Sequence, residues 1–236
     1  MKIEWNDPEE WGRFCKGALS PAEAAALQVR LSGRVSLEDA RSGFPSTVAG
    51  VDVSIRRGPL GDVAVACIAL MEWGSWKLLG VFRAEEPVRF PYIPGLLSFR
   101  ELPVILRAAE GLPEPPGLFM VDGAGIAHPR FFGLACHLGV VTGCPSVGVA
   151  KSRLVGTHDP LPGERGSRVP LLVEGKEVGT VLRTRRGVRP LYVSPGHRVS
   201  LGTSGDLVLA ACTRFRLPEP VRAAHKLAGD QTLLYS

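Results

Sequence analysis

Apolar and polar residues are arranged along this chain in three ways, and each arrangement predicts a different element. From Asp62 to Glu72 every interior position is apolar, with valines and an isoleucine, which suits a strand covered on both faces. The stretch before it, Thr47 to Ile55 (TVAGVDVSI), reads as a strand with a carboxylate, Asp52, at its middle. Arg56 to Gly61 predicts the turn between the two, and Ser75 to Ala84 a third strand, giving an antiparallel meander. Shorter apolar runs predict strands at Leu118 to Val121, Ser146 to Ala150, Val169 to Glu174, Val178 to Thr184 and Leu191 to Ser194. Gly175-Lys176 has the Gly-X form of a hairpin turn.

Helical patterning is clearest after Ser20. Ser20-Pro21-Ala22-Glu23 has the form of a capping box with proline at the first helical position, and an alanine- and leucine-rich run follows to about Leu31. Further helices are predicted from Pro129 through Leu138, from Ser204 to Phe215, and from Glu219, the last placing Arg222 and His225 on one face. Ser98 to Glu101 repeats the capping-box spacing, so Glu101 can be a cap. Pro103 would then fall beyond the first turn, and a start near Leu102 with Pro103 at the first helical position fits better, which frees Glu101 for other work. No internal repeat or low-complexity segment is present, and 236 residues suit a single domain over 1–236.

Composition narrows the setting. Five cysteines, an odd number without a CxxC pair, argue for free thiols in a reducing cytoplasm and against a structural zinc site. The N-terminal stretch is polar and acidic, and the apolar run from Val63 to Met71 is too short to span a bilayer, so no membrane association is expected. A net charge of +5, with arginines gathered at 183, 185, 186 and 189, suits a polyanionic partner without requiring one.

Candidate chemistry gathers at strand ends and glycine-rich turns. Asp122 ends a short strand and is followed by Gly123 and Gly125; it either caps a turn or holds a metal beside freed backbone and a helix N-terminus. Asp52, if buried, needs a cation, a basic side chain or water as partner. Lys151 at the end of its strand can face a phosphate. Tyr92, in Pro91-Tyr92-Ile93-Pro94-Gly95, is carried on a loop stiffened by two prolines. It can be a wedge that enters a base stack or a packed core residue.

Six ordered stretches, VAGVDVS (48–54), PYIPGLLSFRE (91–101), VDGAGIAHPR (121–130), VGVAKSRL (147–154), VSPGHRVS (193–200) and LPEPVRAAH (217–225), resemble the endonuclease V family of DNA repair enzymes over roughly residues 20–228. The resemblance implies an α/β, ribonuclease H-like mixed sheet, an antiparallel meander plus parallel strands, flanked by helices. It implies a magnesium-dependent endonuclease, with manganese as a substitute, that nicks the second phosphodiester bond 3′ to deoxyinosine and other deaminated bases. Double- and single-stranded DNA containing deoxyinosine would be its partners, and a monomer is expected. By position, Asp52 and Asp122 match metal-binding aspartates, with Glu101 and His225 completing the catalytic set. Tyr92, Gly95, Arg100, Gly123, Gly125, His128 and Lys151 match DNA- or lesion-facing positions. Ala124 departs from the larger polar residue usual in the family's VDG-x-G. Two other readings remain open: cleavage of inosine-containing single-stranded RNA, and a lesion-binding module without catalysis.

Overall fold

A computed structural model of the chain describes residues 3–5, 7–59 and 61–229. Its strands join in one eight-stranded sheet of order β3-β2-β1-β4-β5-β8-β7-β6. β1 (Thr47–Gly58), β2 (Gly61–Glu72) and β3 (Leu78–Pro87) form the expected antiparallel meander. β4 (Phe119–Val121) and β5 (Ser146–Ala150) continue it in parallel with β1. β8 (Leu191–His197), β7 (Lys176–Leu182) and β6 (Arg168–Val173) then add an antiparallel half. α1 (Pro8–Cys15), α2 (Pro21–Ser32), α3 (Leu97–Ala109) and α4 (Leu134–Thr142) share one face of the sheet; α5 (Leu201–Ala211) and α6 (Glu219–Gly229) cover the other. The fold class is the one expected. Among the described residues no helix is long and apolar enough to cross a membrane, and all five cysteines are free.

The period-2 alternation of strand side chains decides where the chemistry can lie. In β1, Ala49 and Val51 enter the core under α3 and α4, while Val48 faces the core under α5 and α6. Gly50 faces α6 as well, since a Cβ there would stand 2.0 Å from the Pro220 carbonyl oxygen. Only glycine lets the first turn of α6 sit so close to the sheet. Asp52 follows on the same face. β4 and β5 repeat the pattern: Met120 and Val147 and Val149 face α5 and α6, which directs Asp122 and Lys151 to that side of the strand ends. Sequence alternation alone thus aims three charged residues at α6.

The structure corrects several element boundaries. β1 and β2 run on to Gly58 and Gly61, so their connection is shorter than the predicted Arg56 to Gly61 turn. β3 begins at Leu78 rather than Ser75, because Glu72 to Lys77 closes a turn in which the Trp76 amide donates to the Glu72 carbonyl. The β6–β7 turn is Glu174-Gly175, with both φ angles positive at 50° and 76°, not Gly175-Lys176. α5 is capped by Ser200 and starts at Leu201, earlier than Ser204, and it ends at Ala211.

Two corrections touch the site. α3 starts at Leu97, neither capped by Ser98 nor delayed to Leu102; Pro103 lies inside it, and Glu101 is a helical residue. Burial of Phe99, Leu102, Val104, Ile105 and Leu106 outweighs the backbone bond that proline forgoes. α4 starts at Leu134 rather than Pro129. The amides of Gly133 and Ala135 donate to the carbonyls of Gly125 and Ala124, so the entry to that helix binds the protein's own loop and is not available to a phosphate.

Candidate active site

Asp52, Asp122 and His225 each offer a ligand atom, and these atoms lie within 4.8 Å of one another. Ligands on one magnesium-sized ion stand about 4 Å apart at most, so the set needs only a small closure to share a cation. β1 supplies Asp52, the end of β4 supplies Asp122, and α6, pressed onto Gly50, brings His225 over them. The His225 Nδ1–H donates to Asp52 Oδ2 at 2.8 Å, and Lys151 Nζ sits 2.5 Å from Asp122 Oδ2 and 3.5 Å from His225 Nδ1. The asked-for partner of half-buried Asp52 is therefore a histidine.

Charge at this end of the sheet is under-compensated. Burial and then the neighbouring Asp122 raise the Asp52 carboxyl above its ordinary range, against the lowering effect of His225 and Lys151. Glu101 approaches from α3 on the opposite face and is not one of the three clustered donors. Burial, then Asp52 and Asp122, push its pKa up to about 8. A cation between the aspartates would relieve both carboxyls at once, and hard carboxylate oxygens are the donors such a cation takes.

A recess of about 170 Å³ opens behind the Tyr92 loop, lined by Gln28, Tyr92, Gly95, Ser98, Ala124 and His128 among others. Tyr92 is 70 % exposed on its rim, which settles against a packed core role, while Ile93 turns inward to the core. His128, by contrast, is buried at 4 % exposure, with its pKa lowered to about 4 by burial and by Arg130. It is neutral: Nε2–H donates to the Gly95 carbonyl at 3.0 Å, and Nδ1 accepts the Arg130 amide at 3.2 Å.

The remaining expected residues are placed as follows. Gly95 has φ +79°, which the sharp exit from the Pro-Tyr-Ile-Pro loop requires. Gly125 serves packing, since a Cβ there would stand 2.1 Å from the Pro195 carbonyl oxygen of β8. At Gly123 the same atom would meet the Leu134 side chain at 3.5 Å and that of Val121 at 4.0 Å, both ordinary contacts. Arg100 is engaged elsewhere, pairing with Asp62 at 2.9 Å and donating to the Phe90 carbonyl at 3.3 Å.

Sequence reasoning overlooked Gln28 and Arg130. Arg130 Nε donates to Gln28 Oε1 at 2.6 Å and its terminal nitrogen to the Gly95 carbonyl at 2.6 Å. A signal existed: Gln28 falls on the apolar stripe of α2 with Ala24, Leu27 and Leu31, where a polar side chain demands a buried partner.

Clustered carboxylates on a ribonuclease H-like mixed sheet, with a lysine beside them, are a candidate metal-binding site, the donor set of a hydrolytic enzyme. Residues 29–226 match the family model described as Endonuclease V. The chain is 51% identical to Endonuclease V of Azotobacter vinelandii over 212 residues, 89% of this chain and 94% of that protein. The crystal structure of the Streptomyces avermitilis Endonuclease V superposes with a TM-score of 0.83 at 44% identity, covering 89% of this chain and 91% of the other. A Ciona intestinalis Endonuclease V, bound to a 24-mer DNA containing an inosine followed by a ribo-adenosine, superposes with a TM-score of 0.78 at 25% identity, covering 91% and 98%. The chain belongs to the endonuclease V family and is an endonuclease.

Proposed function

We propose that this endonuclease acts in DNA repair, nicking a strand at the second phosphodiester bond 3′ to deoxyinosine and other deaminated bases, with magnesium as cofactor and manganese as a substitute. The convergence of Asp52, Asp122 and His225 carries the reading; Ala124, two residues on from Asp122, lines the Tyr92 recess, so a base and its neighbouring phosphate could be held by one loop. The inosine-containing DNA bound by the Ciona relative supports the substrate.

Asp52 and Asp122 would hold the cation, with His225 and Glu101 as the further candidates around it. When bound, the cation neutralises the phosphodiester and lowers the pKa of an attacking water. The chain's own groups do the rest. His225 keeps Asp52 oriented through its 2.8 Å hydrogen bond, and Lys151 brings an ammonium to the strand end where the scissile phosphate and departing 3′-oxygen would carry negative charge. Glu101, whose carboxyl is raised to about 8 by burial and the two aspartates, would lose its proton once a cation neutralises them and could then join the groups around it. Exposed Tyr92 fills the place of an extruded base, and Gly95 and Ala124 present main chain to it. Hydrolysis adds water across the P–O3′ bond and leaves a 3′-hydroxyl and a 5′-phosphate.

A second reading, cleavage of inosine-containing single-stranded RNA, draws support from the ribo-adenosine in the Ciona complex. Incision of end-labelled duplex carrying one deoxyinosine, beside undamaged duplex and inosine-containing RNA, tests both. A magnesium-dependent nick one nucleotide beyond the inosine supports the DNA reading. Cutting of RNA alone moves the function to RNA, and tight inosine binding without any cutting leaves a binding module.

A further inference from the structure

The recess has few free polar side chains. Ser98 Oγ is 3.0 Å from Nδ1 of buried His137, both ring nitrogens of His128 are bonded, and Gln28 uses its oxygen for Arg130 and its nitrogen for the Phe132 carbonyl at 3.2 Å. A base entering there meets main chain and shape. What fixes the shape is one continuous chain of bonds. It runs from the Phe132 carbonyl to Gln28 on α2, from Gln28 to the Arg130 guanidinium, and from Arg130 to the Gly95 carbonyl, which His128 also holds. Gln28 is 1% exposed, and a Cβ on Gly95 would stand 2.9 Å from the Arg130 terminal nitrogen, so guanidinium and loop are in contact. Three separate segments, α2, the 123–133 loop and the Tyr92–Gly95 loop, are tied together at this point, and none of these bonds involves a carboxylate.

We propose that Gln28 and Arg130 are positioning residues for lesion selectivity: they hold the Tyr92–Gly95 loop at the width that admits the extruded base, without touching base or cation. The proposal rests on the reading of the site as an inosine-directed nuclease. A half-buried arginine whose fork bridges two segments loses its anchor on α2 when the Gln28 acceptor is removed, so each partner should matter mainly through the other. Loosening the loop then weakens capture of the base and leaves the carboxylate chemistry as it was.

The test uses Gln28→Met, which conserves volume, Arg130→Lys, and the double variant. Binding to inosine- and adenine-containing oligonucleotides is measured by fluorescence anisotropy in chelator, with incision kinetics and thermal melts alongside. Each single variant is expected to lower the inosine-over-adenine preference and raise KM about tenfold, the lower end of what orienting partners contribute. kcat at saturating substrate should be kept within about twofold, and the double variant should be no worse than the poorer single one. Folded variants with undiminished preference, or with kcat reduced at constant KM, would overturn the proposal. If Gln28→Met does not fold, Arg130→Lys, whose side chain is only half-buried, decides alone. Absence of inosine preference in the unaltered protein would instead count against the function proposed above.

Discussion

Where the middle of β1 adjoins the carboxyl end of β4, Asp122 helps to lift the half-buried Asp52 carboxyl, and burial, then both aspartates, raise Glu101 to about 8. Across the site the Gly95 carbonyl accepts two donors, from His128 and Arg130, and the polar groups behind it are bonded in turn. One wall holds like charges that fold together only at a cost; the other is satisfied and closed. The difference follows from what each must meet. A divalent cation is drawn to uncompensated oxygen, so in the function proposed here the first wall would be completed by its ligand. A neutral base is selected by fit, so the second has to keep its shape before the base arrives.

Substitutions should separate the two walls. The largest effect is expected for Asp122→Asn: strand cutting falls to the detection limit in magnesium, while the thermal midpoint stays within a few degrees, since the change also relieves repulsion of Asp52. Retained nicking at saturating magnesium would remove Asp122 from the ligand set. Next in size, Gly125→Ala forces a Cβ against the β8 backbone and should cost about 3 kcal/mol or more in denaturant unfolding, whereas Gly123→Ala should stay within about 0.5 kcal/mol. Equal effects at the two glycines would mean that neither packing contact is as tight as its geometry.

Glu101→Gln tests the strained wall through pH. A carboxyl whose folded pKa is raised to about 8 contributes full stability below its unfolded value, and that contribution is lost as pH rises through about 8. Metal-free Glu101→Gln should therefore melt higher than the unaltered protein at pH 8.5, with the difference shrinking toward pH 4.5. A constant difference would deny that Glu101 titrates in this window. Smallest in stability is Tyr92→Ala, within about 0.5 kcal/mol because the ring is exposed, yet inosine preference should fall about tenfold through lost stacking. A collapsed thermal midpoint would return Tyr92 to the core.

Much of the strained wall was legible in the sequence. TVAGVDVSI and LFMVDG show strands carrying Asp52 and Asp122, and alternation fixes the face on which they project. The satisfied wall was less so. His128 and Gly95 were singled out as lesion-facing, but nothing local reveals that one bonds the other, because the contact joins segments 33 residues apart. Helix boundaries failed where tertiary contacts overrode local rules. Pro103 is tolerated inside α3 because its neighbours are buried, and Pro129 does not start α4 because the Gly123–Gly133 loop takes the helix's first amides. Gln28 was the most recoverable omission, a polar residue on an otherwise apolar stripe.

The central claim is that the repulsive carboxylate cluster is the cation site. Calorimetric titration of magnesium at pH 7.5, in two buffers of different ionisation enthalpy, tests it most directly. Binding should release protons, because neutralising Asp52 and Asp122 lowers the raised Glu101 carboxyl, and Asp122→Asn should abolish the binding. Magnesium binding that survives Asp122→Asn, or that exchanges no protons in the unaltered protein, would contradict the account.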